Sequence, residues 1–505
     1  MKAARTLRNL QQPRSLIDYV REFLTPVVWK QARQAVPRGR AVPRWDLQPL
    51  VLIMLAMTWA SGDSQPERFE KARGFYVACH QARKRPGKTL EGFQKALARV
   101  PMRQLRALSA GVRREIHARL GARRLVDGFE PMGCDGSRIE CSRTAELEKR
   151  LGKTGEKAPP AKAKAKAKAK AKAKAKAGKK AASAKAQAKA DKKAASAGAE
   201  AQAGKKAAAP TLWVTAFVHL PTGLLWSWRL GPGNAAEQHH LRRLLGTLSQ
   251  EALIVCDAAY MGFDLVRAIL ESRRSFLFRM SSRVRLYTLE NADLKTWVEG
   301  PVLYWPGDVQ RKGLTPIPCR LIRVTAPRKR SKGSPRRDVW LLTDILDPAR
   351  LPAATAAKFY RWRWKNEGVF RTYKRVVNKM KLSSRTLRLA HREAELSLLA
   401  TQILLAHADL SLRPQTTATT GEEVISARKV LIEIRRELDA SAKRRTACYH
   451  QRLAGCRADA RKQTTPKATR PWPRRKPHKP PKPPLLHTLS EEQKALLSQH
   501  LGVAG

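Results

Sequence analysis

Apolar residues recur every three to four positions through residues 1–125, a spacing that predicts helices. Residues 16–35 have the pattern of one amphipathic helix, and residues 47–60 are apolar nearly all round, as in a buried helix. The run Ser64-Gln65-Pro66-Glu67 predicts a helix start, with Ser as the cap and Pro in the first turn. Residues 89–120 again have helical spacing, with many arginines on the other face. We therefore predict a helical N-terminal domain.

From residue 126 to residue 411 the pattern changes to short apolar runs that alternate with helical segments, as in an α/β protein. The predicted strands are residues 128–140, a hairpin over 211–230 that turns at Pro221-Thr222-Gly223, and residues 252–256, 275–280 and 339–343. Predicted helices are residues 237–248, 264–271, 352–381 and 388–410. Residues 281–338 have the pattern of β structure with turns. We expect one mixed sheet flanked by helices, with residues 281–338 as a β-rich insertion.

Two further segments have no apolar stripe that a core could bury. The insert 153–210 is rich in Lys and Ala, and residues 153–206 hold 18 lysines against three acidic residues. Lysines at i and i+4 repel, so we expect this insert to be disordered when free. In the C-terminal region 412–505, one helix is predicted over residues 422–438, followed by a disordered basic tail over residues 441–484.

The charge balance is extreme, with 101 Lys and Arg against 41 Asp and Glu and a formal net charge of +60. Such a charge opposes compaction, which points to a polyanionic partner. Nucleic acid is the first candidate and an anionic membrane surface the second. The longest apolar run, residues 49–60, is about half of the roughly 20 residues that span a bilayer. We expect a soluble cytoplasmic protein that acts at the nucleoid. Its N-terminal basic face either contacts DNA, which we favour, or is merely solvated.

The seven cysteines are scattered and none forms a C-x-x-C pair, which argues against a zinc ribbon or finger. Cys448, His450 and Cys456 lie close together in the basic tail, where a metal site is a minor alternative. The sparse spacing of the cysteines is typical of reduced thiols in a cytosol.

Three acidic residues occupy positions that suit catalysis. Asp135 lies in the first predicted strand of the middle region, Asp257 ends a later strand, and Glu367 lies in a helix rich in cations. An open α/β sheet binds its ligands at the carboxyl ends of its strands. Carboxylate oxygens favour Mg²⁺ or Mn²⁺, and two such ions can support an in-line phosphoryl displacement. Taken singly, each residue has a plainer interpretation, as a turn cap or a solvated ion pair.

The spacing around Glu367 adds a second feature. Tyr360, Arg363, Glu367 and Lys374 fall at i, i+3, i+7 and i+14, which places them on one face of a continuous helix. The carboxylate would bind metal, and the cations would grip the phosphates that flank a scissile bond. The pattern resembles the Tyr-x2-Arg-x3-Glu-x6-Lys signature of the DDE transposases in the bacterial insertion sequence four family.

The resemblance extends beyond that helix and covers residues 125–400. Asp135 follows a glycine-rimmed strand and precedes Gly136-Ser137, as the first Asp of the family often does. The run Val255-Cys256-Asp257-Ala258-Ala259-Tyr260 is similar to the second Asp strand, and Trp340-Leu341-Leu342-Thr343-Asp344 to the strand that leaves the family's β insertion. The Lys/Ala insert departs from the family pattern, as does Asn366, where the family commonly has an apolar residue.

The resemblance implies an RNase H-like fold, with the catalytic carboxylates Asp135, Asp257 and Glu367 holding two Mg²⁺ or Mn²⁺ ions. It implies cleavage of transposon ends and their joining to target DNA, by a homodimer on paired inverted repeats. It also implies that a DNA strand is joined to its partner as a hairpin while a flipped base stacks on Trp340. The plainer alternative for Trp340 is an ordinary buried strand tryptophan.

Two other classes of function remain open on the sequence alone. A nuclease of the RNase H type would hydrolyse without strand joining, although it would not need the phosphate clamp of Tyr360, Arg363 and Lys374. A DNA-binding chromatin protein or a catalytically silent transposase relic would use the Lys/Ala insert only to hold DNA. Metal-dependent release of transposon ends separates these classes from a transposase.

Overall fold

The computed structural model describes nine stretches of the chain, residues 15–36, 45–80, 85–151, 208–325, 338–411, 426–440, 449–453, 455–456 and 483–502. Most of the predicted Lys/Ala insert, part of the β-rich insertion and most of the predicted basic tail lie outside these residues.

The N-terminal part is helical, as predicted, and its described residues form six helices. They are α1 (Leu16–Phe23), α2 (Pro26–Gln34), α3 (Leu47–Trp59), α4 (Gln65–Cys79), α5 (Leu90–Arg99) and α6 (Met102–Leu120). The Ser64 cap is confirmed, since its hydroxyl accepts a hydrogen bond from the Glu67 amide at 3.3 Å. The prediction of one helix over residues 16–35 was wrong, because Pro26 has no amide proton to donate and a new helix starts there. The helical spacing predicted over residues 89–120 is confirmed, in two helices that are separated by Val100 and Pro101.

Ten strands of the described chain form one mixed sheet. They are β1 (Glu130–Glu140), β2 (Thr211–His219), β3 (Leu224–Pro232), β4 (Ala252–Cys256), β5 (Ser275–Arg279), β6 (Arg285–Thr288), β7 (Glu299–Tyr304), β8 (Ile317–Val324), β9 (Val339–Thr343) and β10 (Leu485–Thr488). Their order is β10-β6-β7-β8-β9-β5-β4-β1-β2-β3. Strands β1, β4 and β5 are parallel neighbours, and β2 is antiparallel to both β1 and β3. The predicted hairpin is therefore confirmed.

The insertion between β5 and β9 supplies β6, β7 and β8 with one short helix, α10 (Gly307–Gln310), which agrees with the predicted β-rich character. These strands do not stand apart from the core. Strand β8 pairs with β9, and β9 pairs with β5, so the insertion prolongs the same sheet.

The helices of the middle and C-terminal regions are α7 (Ala145–Arg150), α8 (Glu237–Leu244), α9 (Phe263–Glu271), α11 (Ala353–Trp362), α12 (Trp364–Arg371), α13 (Leu387–Ala406), α14 (Ala427–Asp439), α15 (Tyr449–Leu453) and α16 (Glu491–Gly502). Helices α12 and α13 each continue into a π-helical turn, at Thr372–Val376 and His407–Ser411.

Helix α13 joins the N-terminal helices to the sheet. Trp59 of α3 donates its indole N–H to the carbonyl of Ala400 at 3.2 Å. On the other side, the Gln402 amide donates to the carbonyls of Leu225 and Trp226 in β3. One buried hydrophobic cluster accordingly includes residues of the N-terminal helices, of α13 and of the sheet.

The prediction of a disordered tail over residues 441–484 was wrong for one stretch. Residues 449–453 form α15, in which Tyr449 and Leu453 are buried. After this tail, strand β10 pairs with β6, and α16 follows it. Strand β10 is short and is defined by its pairing with a strand that is distant in sequence. Its local sequence therefore did not predict a strand. Among the helices of the described residues, none has the length and apolar character needed to cross a membrane.

Candidate active site

The two aspartates predicted to be catalytic lie on neighbouring parallel strands. Gly133 of β1 pairs with Val255 of β4, and two residues further along both strands come Asp135 and Asp257. The Asp135 carboxylate accepts a hydrogen bond from the Gly136 amide at 2.8 Å. Asp257 follows the last residue of β4, and its carboxylate accepts from the Ala259 amide at 2.9 Å, which caps a short 3₁₀ turn. The two carboxylates thus share one region of the sheet.

Glu367 reaches this region on α12, which packs against β1 and β2. The residue before it, Asn366, is fully buried, and its side chain lies directly over the α-carbon of Gly133. A β-carbon built on Gly133 would meet the Asn366 side chain at 2.7 Å. Glycine at this position therefore allows the helix of Glu367 to approach the strand of Asp135.

The charges of the other two carboxylates act on Asp135. Burial raises the pKa of Asp135, and the negative charges of Asp257 and Glu367 raise it further, while the amide of Gly136 and the charge of Arg363 oppose them. Asp135 is therefore within range of the charges of both Asp257 and Glu367. Among the described residues, no three His, Cys, Asp or Glu side chains stand in a ready arrangement around one ion position.

Tyr360 and Arg363 accompany the carboxylates. Burial lowers the pKa of Arg363, but Tyr360, Asp135 and Asp257 outweigh it, so the net shift is upward. The guanidinium lies 5.6 Å from the centre of the Tyr360 ring. Its buried Nε has no hydrogen-bond partner among the residues that the structure describes. Arg363 is thus a cation beside the two aspartates that keeps a donor for a further acceptor.

The predicted single helix over residues 352–381 was wrong. Helix α11 ends at Trp362, α12 starts at Trp364, and Arg363 forms the joint between them. Lys374 lies in the π-helical turn. Hydrogen bonds from i to i+5 widen such a turn, so residues within it no longer keep the angular spacing of the preceding α-helix. Its charged neighbours are Glu140 and Arg138, at the far end of β1. The structure therefore brings Tyr360, Arg363 and Glu367 together but sets Lys374 further along β1.

Trp340, predicted to stack on a base, lies in β9 and is only 5% exposed. The guanidinium of Arg323 covers its ring at 5.4 Å, held by an ion pair with Asp338. By contrast, Trp364 is 61% exposed, with Arg363 at 5.4 Å from its ring. In the sequence, Trp364 stands between the cations Arg363 and Lys365. This pattern is the signal from which sequence analysis could have predicted a contact of Trp364 with nucleic acid.

Two residues of this region were missed by sequence analysis, Arg279 and Glu237. Cys256 pairs with Phe278, so Arg279 at the end of β5 lies beside Asp257, and its charge acts on Tyr360. Glu237 is the first residue of α8; burial raises its pKa, and the charges of Asp135 and Asp257 raise it further. The sequence held no local motif for either residue, because strand pairing and helix docking place them here.

The chemistry of this donor set fits a divalent cation. All of the acidic groups offer oxygen ligands, which Mg²⁺ and Mn²⁺ prefer. Burial, and after it the negative charges of Asp257 and Glu367, raise the pKa of Asp135, and the positive charge of Arg363 offsets only part of this rise, so a bound cation would stabilise the carboxylate further.

Comparison with known proteins gives a family match. Residues 154–403 match the family model described as the transposase DDE domain, a stretch of about half the chain that includes Asp257 and Glu367 and begins after Asp135. No curated protein matches the sequence. Among solved structures, the chain is similar to one described as "Cryo-EM structure of piggyBac transposase synaptic complex with hairpin DNA (SNHP)". That similarity covers 85% of this chain and 80% of the other, with 12% identity and a TM-score of 0.39.

Proposed function

We propose, from the premise that this chain is a DNA transposase with a DDE domain, that Asp135, Asp257 and Glu367 are its catalytic carboxylates. In this proposal the enzyme cleaves transposon ends and joins them to target DNA, in a cut-and-paste manner. The observation that carries it is the placement of the three side chains. Two lie on adjacent parallel strands, the third lies on a helix packed over β1, and the charges of Asp257 and Glu367 raise the pKa of Asp135.

The catalytic core in this proposal is RNase H-like. The run β3-β2-β1-β4-β5 within the sheet supports it, because the first three strands are antiparallel and the last three are parallel. We assign residues 126–411 to this catalytic domain, residues 1–125 to a helical DNA-binding domain and residues 412–505 to a C-terminal region. The mixed sheet with helices packed against it is consistent with this division.

Asp135, Asp257 and Glu367 would hold two Mg²⁺ or Mn²⁺ ions in this enzyme. When bound, two such ions would stabilise the negative charge that develops on the oxygens of a phosphoryl displacement. The chain's own contribution is to hold the carboxylates. Backbone amides of Gly136 and Ala259 orient the two aspartates, and the contact between Asn366 and Gly133 positions the helix of Glu367.

The cations of the region would bind the DNA backbone. Arg363 and Arg279 each keep a buried Nε without a partner among the described residues, so each can donate to a phosphate oxygen beside the scissile bond. Tyr360 would add its hydroxyl. Lys374, set further along β1, would bind a phosphate more distant from the cut.

Two tryptophans are candidates for contact with bases. The exposed ring of Trp364, beside Arg363, is free to stack on an unpaired base. Trp340 would serve a flipped base only after Arg323 withdraws from its ring. Both assignments remain part of the proposal. A base stacked on Trp364 would lie beside the helix of Glu367, and a base stacked on Trp340 would lie beside β9.

The proposed partners are the double-stranded DNA of the transposon ends, target DNA and a second copy of the chain on paired ends. The formal charge of +60 supports a polyanionic partner, and in a bacterium it would concentrate the enzyme at the nucleoid.

To test this function, the DNA that flanks the gene is first searched for matched inverted repeats. DNA that carries these repeats is then labelled and used as the substrate, with Mg²⁺. We expect the full chain to release the transposon end, and Asp257→Asn to abolish cleavage while DNA binding stays measurable. Asp264→Asn is the matched control, since Asp264 is an exposed carboxylate in α9. Cleavage that survives Asp257→Asn would overturn the assignment. Binding without cleavage by the wild-type chain would support a silent relic or chromatin protein, and cleavage without joining would support a nuclease.

A further inference from the structure

Helix α6 carries a row of cations along one side. Arg103, Arg106, Arg113 and His117 fall at i, i+3, i+10 and i+14, a spacing that keeps them on the same side of an α-helix. The buried residues of α6 are apolar and lie on another side. Arg103 and Arg106 are exposed, and neither forms an ion pair with a carboxylate among the described residues. The row therefore presents positive charge to the solvent.

Helix α6 is one of the N-terminal helices, yet it packs against β3 and α13. The ring centres of His117 and of Trp226 in β3 lie 5.9 Å apart. Arg392 of α13 donates from Nε and Nη2 to the carbonyl of Val100, between α5 and α6, at 3.1 and 3.0 Å. These contacts fix α6, β3 and α13 against one another, although the three elements are far apart in sequence.

Strand β3 and helix α13 add two cations to the row. Arg229 lies half-buried in β3, and Arg388 is exposed in the first turn of α13. Neither forms an ion pair with a carboxylate within the described stretches of the chain. Burial lowers the pKa of Arg229 and the charges of Arg106 and Arg243 lower it further, whereas Glu395 opposes them from a buried position. These cations therefore repel one another, and a bound polyanion would relieve the repulsion.

The face that these cations form is named the edge surface, because β3 is the edge strand of the described sheet, and it comprises Arg103, Arg106, Arg113, His117, Arg229 and Arg388. Arg229 pairs with Thr215 of β2, and Thr215 pairs with Gly136 of β1, the residue after Asp135. Neighbouring strands are about 4.8 Å apart, so the backbone of Arg229 lies about 10 Å from that of Gly136. The edge surface is thus level with the proposed catalytic centre along the strands.

The shape and composition of the edge surface fit the phosphate backbone of duplex DNA. From Arg103 to His117 the row is about 21 Å long, at about 1.5 Å per residue. A duplex presents about 12 phosphates over that length, one per about 1.7 Å of its axis. No large apolar side chain is exposed on α6, β3 or α13. Proteins that bind single strands offer aromatic platforms, and helices that lie on a membrane offer an apolar face, so both partners suit this surface less well.

We propose that the edge surface binds the backbone of the DNA duplex that is cut at Asp135, Asp257 and Glu367. The inference rests on the proposed function, because that function supplies the duplex to be cut. The N-terminal helical domain and the catalytic domain share the edge surface, so both hold the same duplex. Contacts to phosphates set the position of a duplex without reading its sequence.

The experiment measures how the affinity of the full chain for a short duplex of arbitrary sequence depends on salt, without divalent cations. The test variant changes one arginine of each element, Arg106→Gln, Arg229→Gln and Arg388→Gln. Each phosphate contact contributes about 0.9 to the slope of log K against log salt, so we expect the slope to become shallower by about 2.7. The Lys/Ala insert is the same in every variant, so its contribution cancels.

A matched control variant removes the same charge elsewhere. Arg283, Arg285 and Arg311 are exposed arginines of the β-rich insertion, towards the other end of the sheet, and form no ion pair among the described residues. We expect their combined change to Gln to alter the slope much less. Circular dichroism monitors folding. If the half-buried Arg229 is needed for folding, the double variant of the exposed Arg106 and Arg388 repeats the test, with an expected change of about 1.8.

The outcomes separate the inference from the proposed function. An unchanged slope in the folded test variant, or an equal change in the control, would overturn the edge surface while wild-type cleavage still supports the transposase. A shallower slope together with a wild type that cleaves no transposon end would overturn the proposed function and leave the edge surface as a duplex-binding site. An equal loss of affinity for a single strand of the same sequence would overturn the assignment to a duplex.

Discussion

Asn366 packs directly on Gly133, with no space for a β-carbon between them. Gly133 lies two residues before Asp135, and Asn366 lies one residue before Glu367. This contact joins α12 to β1 and so sets the separation of two proposed catalytic carboxylates. The glycine and the asparagine thereby link two parts of the site that are far apart in sequence.

Replacing Gly133 with alanine should impair cleavage. The added β-carbon would lie 2.6 Å from Leu220 and 2.7 Å from Asn366, so α12 must move. A displacement of about 1 Å at a reacting group can cost about 100-fold in rate. We expect a cleavage rate lower by about that factor, measured on transposon-end DNA. Gly74→Ala is the control, because Gly74 has open space around it and alanine favours helix. A fully active Gly133→Ala would show that this contact does not position Glu367.

Replacing Asn366 with leucine should stabilise the protein. Both polar side-chain atoms of Asn366 are buried and have no hydrogen-bond partner among the described residues. A buried polar group without a partner costs about 1–3 kcal/mol. Leucine has the same branched shape and the same number of side-chain heavy atoms and removes this cost, so the midpoint of denaturant unfolding should rise with an unchanged slope. A lower midpoint would reveal a partner for the amide, such as a buried water.

Asp135→Asn should make the metal-free protein more stable at neutral pH. Burial and the neighbouring carboxylates raise the pKa of Asp135 above its unfolded value of about 3.9. The folded state therefore binds this proton more tightly, and the resulting stability is present at low pH. It is lost as the pH rises from the unfolded pKa through the folded pKa.

Thermal melts of wild type and Asp135→Asn across that range should coincide at acid pH and diverge above it. Added Mg²⁺ should stabilise the wild type and have less effect on the variant. If the two melting temperatures change in parallel at every pH, folding does not raise the pKa of Asp135.

Arg363→Ala should slow strand transfer much more than it weakens total DNA affinity. Arg363 lies next to the carboxylates, whereas many other cations hold the DNA. Strand-transfer rate and equilibrium affinity are measured on the same substrate. Arg361→Ala is the matched control, because Arg361 is an exposed arginine of the neighbouring turn. Equal losses of rate and affinity would indicate that Arg363 is an ordinary backbone contact.

Deleting residues 153–206 should leave a folded enzyme with weaker nonspecific DNA binding. The last residue of β1, Glu140, pairs with the first of β2, Thr211, so the chain leaves and re-enters the sheet at neighbouring points. A short Gly-Ser linker can therefore close the gap at small entropic cost. We expect a shallower slope of log K against log salt, because 18 lysines are removed. An unchanged slope would show that these lysines do not touch DNA.

Much of the secondary structure was predictable because it depends on neighbouring residues. The cap at Ser64, the hairpin and the strands that carry Asp135 and Asp257 follow from apolar spacing and turn residues. The proposed catalytic residues were also identified from local patterns. Helical spacing predicted that Tyr360 and Arg363 accompany Glu367, and all three lie near the aspartates in the fold, although Arg363 separates two helices and Lys374 lies apart.

The tertiary structure alone decided which distant residues join the site. Pairing of β4 with β5 brings Arg279 to Asp257, and docking of α8 brings Glu237 to both aspartates. The joint at Arg363 and the π-helical turn that redirects Lys374 depend on packing of α12 against the sheet. Periodicity records which face of a segment is buried but not what it is buried against. The residues around the carboxylates were therefore set by contacts between elements, which no local pattern specifies.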